Sequence, residues 1–178
     1  MRAAPLVPSF VLLGFVALSS GPSIQATGSE SDAAVRIGVY DNRAIAIAFA
    51  QSRFNSIGDV VEARAKAAEA GDDARLAELE AKGASHQRRL HFQGFGRYPV
   101  DDLLARVEDE LPAVAERLDL DAIVWFSDYH GEHVDIVDVT DELAALFDPG
   151  ERAIKWIEQI GDAEVVDLDT LVEMRPDE

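Results

Sequence analysis

The chain has no cysteine, two methionines and few aromatic side chains, 7% of its 178 residues. Without thiols it carries no disulfide staple, no thiol nucleophile and no cysteine-ligated zinc. Positive charge is also scarce: 16 Lys and Arg stand against 34 Asp and Glu, a net −18. A surface of that sign repels phosphate backbones and anionic lipid, so nucleic-acid binding is not expected. No apolar run reaches the roughly 20 residues that a membrane helix needs. The stretch from Phe10 to Leu18, broken only by Gly14, is too short to span.

That stretch has its own meaning. It follows Met1-Arg2 and precedes Ser19, Ser20, Gly21 and further small residues up to Ala26. Charged, then apolar, then small is the order of a cleavable secretory signal. The expected organisation is a signal peptide over residues 1–26, a flexible lead-in over 27–34, and one domain over 35–178. Cleavage is expected near Ala26, with Ile24 and Ala26 at the recognition positions, or after Ser19. The competing reading is a buried N-terminal helix or strand. Removing residues 1–26 takes away Arg2 and no acid, leaving 15 basic against 34 acidic residues, a net −19. The remaining chain is long enough for a single core. The expected location is the periplasm or the exterior, with no membrane span in the mature chain.

Val35-Arg36-Ile37-Gly38-Val39-Tyr40 alternates and reads as a strand with Val35, Ile37 and Val39 facing a core. Asp41-Asn42 then supplies a helix cap. Residues 44–70 are Ala-rich and predict one long helix. Gly71-Asp72-Asp73 predicts a stop and a restart, with a second helix over 72–92; Gly83 is the alternative turn. Between Val61 and Leu76 no large apolar residue occurs, so this pair, an antiparallel helical arm over about 44–92, is expected to project into water. Gln93 to Pro99 reads as a loop. Leu103, Leu104, Val107, Leu111, Val114 and Leu118 form a core-facing helical stripe, kinked or restarted at Pro112. Ala122 to Phe126 and Val134 to Val139 read as two strands joined by a hairpin-length loop. Thr140 is expected to cap a helix ending before Pro149. A short helix from Glu151 to Ile160 follows, and the tail from Ala163 to Met174 adds a strand and a turn of helix. The fold class is α+β: a small mixed sheet of three to four strands with a protruding helical hairpin.

This order of elements resembles the Skp/OmpH-like periplasmic chaperone family. The likeness runs over roughly residues 35–147 and rests on Val35-Arg36-Ile37-Gly38-Val39, on Leu120-Asp121-Ala122-Ile123-Val124, and on the valine-rich strand entering Asp138-Val139-Thr140-Asp141. The resemblance implies a non-enzymatic, chaperone-like protein that forms a homotrimer through its strand-rich body and holds protein clients with its arm. Members carry long basic arms; this arm is shorter and the chain is acidic.

The positive charge that does exist is concentrated. Residues 81–100 hold Lys82, Arg88, Arg89 and Arg97 and no acid, together with His86, His91, Phe92, Phe95 and Tyr98. Arginine and aromatic rings dominate binding hot spots. Arg88, Arg89, His91, Phe92, Phe95, Arg97 and Tyr98 are therefore the candidate binding residues, for an acidic or aromatic-rich peptide or for another copy of the chain. The structural alternative is that the rings pin the loop and the arginines pair with some of the acids. Chemistry has weaker signals. Gly94-Phe95-Gly96 lacks the third glycine of a phosphate loop. His130 and His133 lie three apart but in the expected hairpin loop, and His86 and His91, five apart, are poorly spaced for one helical face to hold a metal. Asp41, Asp128 and Asp138 sit near predicted strand ends, where turns and caps account for them. Asp167-Leu168-Asp169-Thr170 only approximates a haloacid dehalogenase nucleophile motif. No cofactor is expected. The leading expectation is an exported binding or chaperone-like protein. The alternatives are a small exported enzyme or metal-binding domain using residues 86–98, or a purely structural envelope protein.

Overall fold

The computed structural model describes residues 34–174; the expected signal peptide, and all of the lead-in but Ala34, lie outside the described residues. The class is α+β, with eight α-helices and three strands among the described residues. Strand β1 (Val35–Val39) is central, flanked by β2 (Ala122–Val124) and β3 (Val134–Asp138). Both neighbours pair with β1 in parallel. The expected strand hairpin and mixed sheet are thus corrected. The connection over residues 125–133 carries the chain back to the start of β3 instead of turning it antiparallel, and β1 separates the two strands.

Parallel pairing assigns the faces. Gly38 lies opposite Ile123 and Val137, which pack on the main core. Val35, Ile37 and Val39 share the other face with Val134, Ile136, Ala122 and Val124, because partners in register point the same way. None of these seven joins the core, and all are half-buried or exposed. The expectation that Val35, Ile37 and Val39 face the core is therefore reversed.

The core lies on the Gly38 side. Helix α1 (Asn42–Ala50) begins at Asp41, whose carboxylate accepts from the Arg43 N–H, and buries Ile45 and Phe49. The long helix expected over residues 44–70 breaks after Ala50. Ser52 Oγ donates to the Phe49 carbonyl and Asn55 Nδ2 to the Ala50 carbonyl, so side chains compete with the helical ladder. Helix α2 (Ile57–Ala70) follows and ends at Gly71, whose φ of 67° suits glycine. Helix α3 (Asp73–Phe95) passes straight through Gly83 and takes in Gln93 to Phe95, which the sequence assigned to a loop. The α2–α3 pair packs through Val60, Ala67 and Leu79 and through an Arg64–Glu80 ion pair of 3.0 Å.

The stripe after Asp101 breaks into α4 (Asp101–Leu104), a 3-10 turn and α5 (Leu111–Leu118), with Pro112 in the first turn of the restart. Leu103, Val107 and Val114 are buried as their spacing requires. Helix α6 (Thr140–Ala145) starts one residue earlier than expected. Thr140 lies within it rather than capping it, and its Oγ1 accepts from the Asp41 N–H at 2.9 Å. Helix α7 (Glu151–Gly161) buries Ala153 and Ile157. In the tail, Val166 bridges Gly96, and α8 (Leu168–Glu173) packs Leu171 inward. A Cβ on Gly96 would lie 2.6 Å from Leu171 Cδ1, so that glycine is needed for close docking of α8.

Candidate functional site

The end of α3 is held by buried polar groups. Asn42 Nδ2 donates to the carbonyls of Gln93 and Gly96, each at 2.8 Å, and Trp125 Nε1 donates to Asn42 Oδ1 at 3.1 Å. Gln93, fully buried, donates to the Pro99 carbonyl and to Asp102 Oδ1. The two Asn42 bonds satisfy carbonyls that a helix leaves open at its C-terminus, and the Gln93 bonds hold the segment that follows. They tie α3 to α1, β2 and α4, which gives the residues beyond a rigid mount.

The seven candidate residues divide on that mount. Phe92 and Tyr98 are half-buried and face each other at 5.6 Å between ring centroids. The half-buried His91 packs 4.9 Å from the Phe95 ring, and its Nε2 is buried with no hydrogen-bond partner among the described residues. Phe95 remains 47% exposed. Arg97 lies 5.7 Å above Phe126, another exposed ring. Arg89 approaches Asp102 at 3.4 Å across an exposed surface, a pair of small energetic weight. Arg88 is exposed and joins none of the ion pairs among the described residues. Part of the set therefore pins the segment, and Arg88, Phe95 and Arg97 remain available to a partner.

The parallel sheet also gathers residues that the sequence left apart. The C-terminal ends of all three strands lie at one edge, where ligands of open parallel sheets usually bind. A depression of about 350 Å³ is lined there by Tyr40, Asp41, Trp125, His130, Asp138 and Thr140, among others. Its acids are engaged. Asp41 holds Arg43 at 2.6 Å, and Asp138 Oδ1 accepts from the Thr140 N–H at 2.9 Å. Burial, with Asp101 adding to it, raises the Tyr40 phenol above its ordinary pKa and keeps it neutral. Asp128 is exposed in the connection after β2. Among the described residues no group of three or more His, Asp or Glu is placed to hold a metal ion, and no helix is long and apolar enough to cross a membrane.

Sequence reasoning missed two features. One is the half-buried apolar face of the sheet outside the core, which depends on strand direction. The other is a groove between α1, α3 and α7, lined by Ile47, Leu90, Phe95, Trp156 and Ile160. A signal for the groove was present: residues 42–58, like 81–100, contain no Asp or Glu, and α1 and α3 lie side by side. No family model, curated protein or solved structure matches this chain.

Proposed function

We propose that the protein is an exported, non-enzymatic binding protein, chaperone-like or envelope-associated, that assembles with copies of itself and holds protein clients. The observation that carries this reading is the apolar sheet face that lies outside the core. Sheets whose strands are all parallel are almost always covered on both sides. Here Val35, Ile37, Val39, Val134, Ile136, Ala122 and Val124 lie outside the core. A contiguous apolar face of this kind marks an interaction surface. A second copy supplies a matching face, as the likeness to the trimer-forming Skp/OmpH-like family implies. Client binding is assigned to Arg88, Phe95 and Arg97, braced by Arg89, His91, Phe92 and Tyr98. The engagement of Asp41 and Asp138 in structural bonds favours binding over catalysis.

The native mass of the secreted protein, measured by sedimentation, tests the assembly. A trimer is expected, and Ile37→Glu and Ile136→Glu should each lower the mass to one chain with an unchanged circular dichroism spectrum. A monomeric wild type refutes assembly through this face. N-terminal sequencing of secreted material should find a start between residues 20 and 27; intact Met1 on cytoplasmic material refutes export. An aggregation-suppression assay tests the client site: Phe95→Ala should weaken protection at nearly unchanged melting temperature, and failure of the wild type to protect any unfolded client refutes the chaperone-like reading.

A further inference from the structure

Along α1 runs an open apolar groove of about 530 Å³. Ala46, Ala50, Gly94 and Ala163 leave the slot open, and Phe95 and Trp156 stand along it. Among the described residues Gln51 and Gln159 are its only polar lining residues, and none is charged, in a chain with 34 acids.

One end of the groove differs. Arg43, at the start of α1, donates to the Ala163 carbonyl beyond the end of α7 at 2.8 Å. The two helices therefore run in opposite directions, and the start of α7 lies beside the end of α1. Arg152, in the first turn of α7, stands at that end. Its guanidinium lies 4.4 Å from the centroid of the Trp156 ring, which lines the groove. Along α7, Arg152, Trp156 and Gln159 follow one helical face at spacings of four and three. Arg152 joins no ion pair among the described residues. The site thus combines an apolar slot with one unpaired guanidinium, that of Arg152, at one end.

We propose that this groove binds a single-chain fatty carboxylate, with the methylene chain in the slot and the carboxylate on Arg152. Charge complementarity selects the head group: a guanidinium fork matches a carboxylate in two parallel hydrogen bonds. The walls select the tail. They are helices whose backbone groups are already paired, so an extended peptide would bury its own N–H and C=O groups without partners. A methylene chain has none to satisfy. The groove shares Phe95 with the client site but not Arg152 or Trp156, so substitutions at those two test it separately from client binding and self-association.

Titration calorimetry on the purified full chain tests it, with decanoate, dodecanoate, dodecanol, dodecyltrimethylammonium and an apolar peptide with a free C-terminal carboxylate, each below its aggregation concentration. Dodecanoate should bind at one site per chain, and affinity should rise about fourfold per added methylene. Arg152→Gln should weaken dodecanoate about tenfold and leave dodecanol unchanged, whereas Trp156→Ala should weaken both. Both side chains are exposed, so melting curves of the variants should match the wild type. Absence of saturable dodecanoate binding overturns the proposal, as does binding indifferent to both substitutions. Tighter binding of the ammonium amphiphile or of the peptide overturns the ligand class.

Discussion

The body and the α2–α3 pair are held together by different means. In the body, fourteen buried apolar residues drawn from distant parts of the chain form one cluster, with Ile45, Leu143 and Phe147 fully enclosed. The pair has three such residues, Val60, Ala67 and Leu79. It depends otherwise on alanine helix propensity and on exposed ion pairs such as Lys66–Glu62 and Arg75–Glu78. Stability in the body comes from long-range burial, and in the pair from local preference with one thin seam. The seam tolerates change on its outer surface that the body does not tolerate anywhere in its core.

The largest test of that contrast is Leu143→Ala. Leu143 is 0% exposed, and its truncation leaves a cavity walled by α1 and α6, which should cost about 3–5 kcal/mol. Urea melts would show a lower midpoint with an unchanged slope. Leu79→Ala, in the two-helix seam, should cost less, about 2 kcal/mol, because two helices with no third layer can close over the gap. Ala67→Gln should cost about 1–3 kcal/mol by forcing bulk between the helices. Equal losses from Leu143→Ala and Leu79→Ala would abolish the distinction between the regions.

Local punctuation was legible in the sequence, and strand direction was not. The cap at Asp41, the turn at Gly71 and the restart at Pro112 each follow from one residue's backbone chemistry, and all three stand where the sequence puts them. The apolar run Ala122 to Phe126 is compatible with either strand direction. The loop after it contains Gly131 and is of hairpin length, so the antiparallel reading was natural. Only the pairing of both strands with β1 excludes it, and that pairing sets which sheet face lies outside the core. The break after Ala50 was hidden for a related reason. Ser52 and Asn55 end the helix through bonds back to its last carbonyls, against a background of strong alanine propensity. For the candidate site, the sequence identified the acid-free segment but not which side chains brace it, since the contacts of Phe92 with Tyr98 and of Arg97 with Phe126 depend on tertiary placement.

His86 sharpens the comparison, because it sits where the two regions meet. Its Nε2 lies 3.1 Å from Asn55 Oδ1, and its ring is 6.5 Å from the core residue Phe49. Burial lowers its pKa below the ordinary histidine value; Lys82 acts in the same sense and Asp102 opposes it. The folded state thus prefers the neutral ring. The contribution to stability is fully present above the ordinary value near pH 6.5 and is lost as pH falls through the lower folded value. Melting temperature should therefore fall between pH 7.5 and pH 5, and His86→Gln should reduce that slope. A variant with the wild-type slope would place the acid sensitivity elsewhere.

The smallest expected effect is the strictest test of the outer surface of the pair. Ala68 is exposed on α2, one position from the buried Ala67. Ala68→Gln adds a long side chain that meets only water. Glutamine is nearly as good a helix former as alanine, so the intrinsic cost is a few tenths of a kcal/mol. Exposed positions without special roles change stability by about 0.5 kcal/mol or less. The expected outcome is a urea midpoint within error of the wild type, beside a clear loss for Ala67→Gln one residue away. That adjacent pair controls for helix length and composition, since both substitutions place the same side chain on the same turn of helix. Comparable losses from the two would mean that the face carrying Ala68 is covered in solution. In that case the pair would be a packed element with two buried sides, and the contrast with the body would be one of degree.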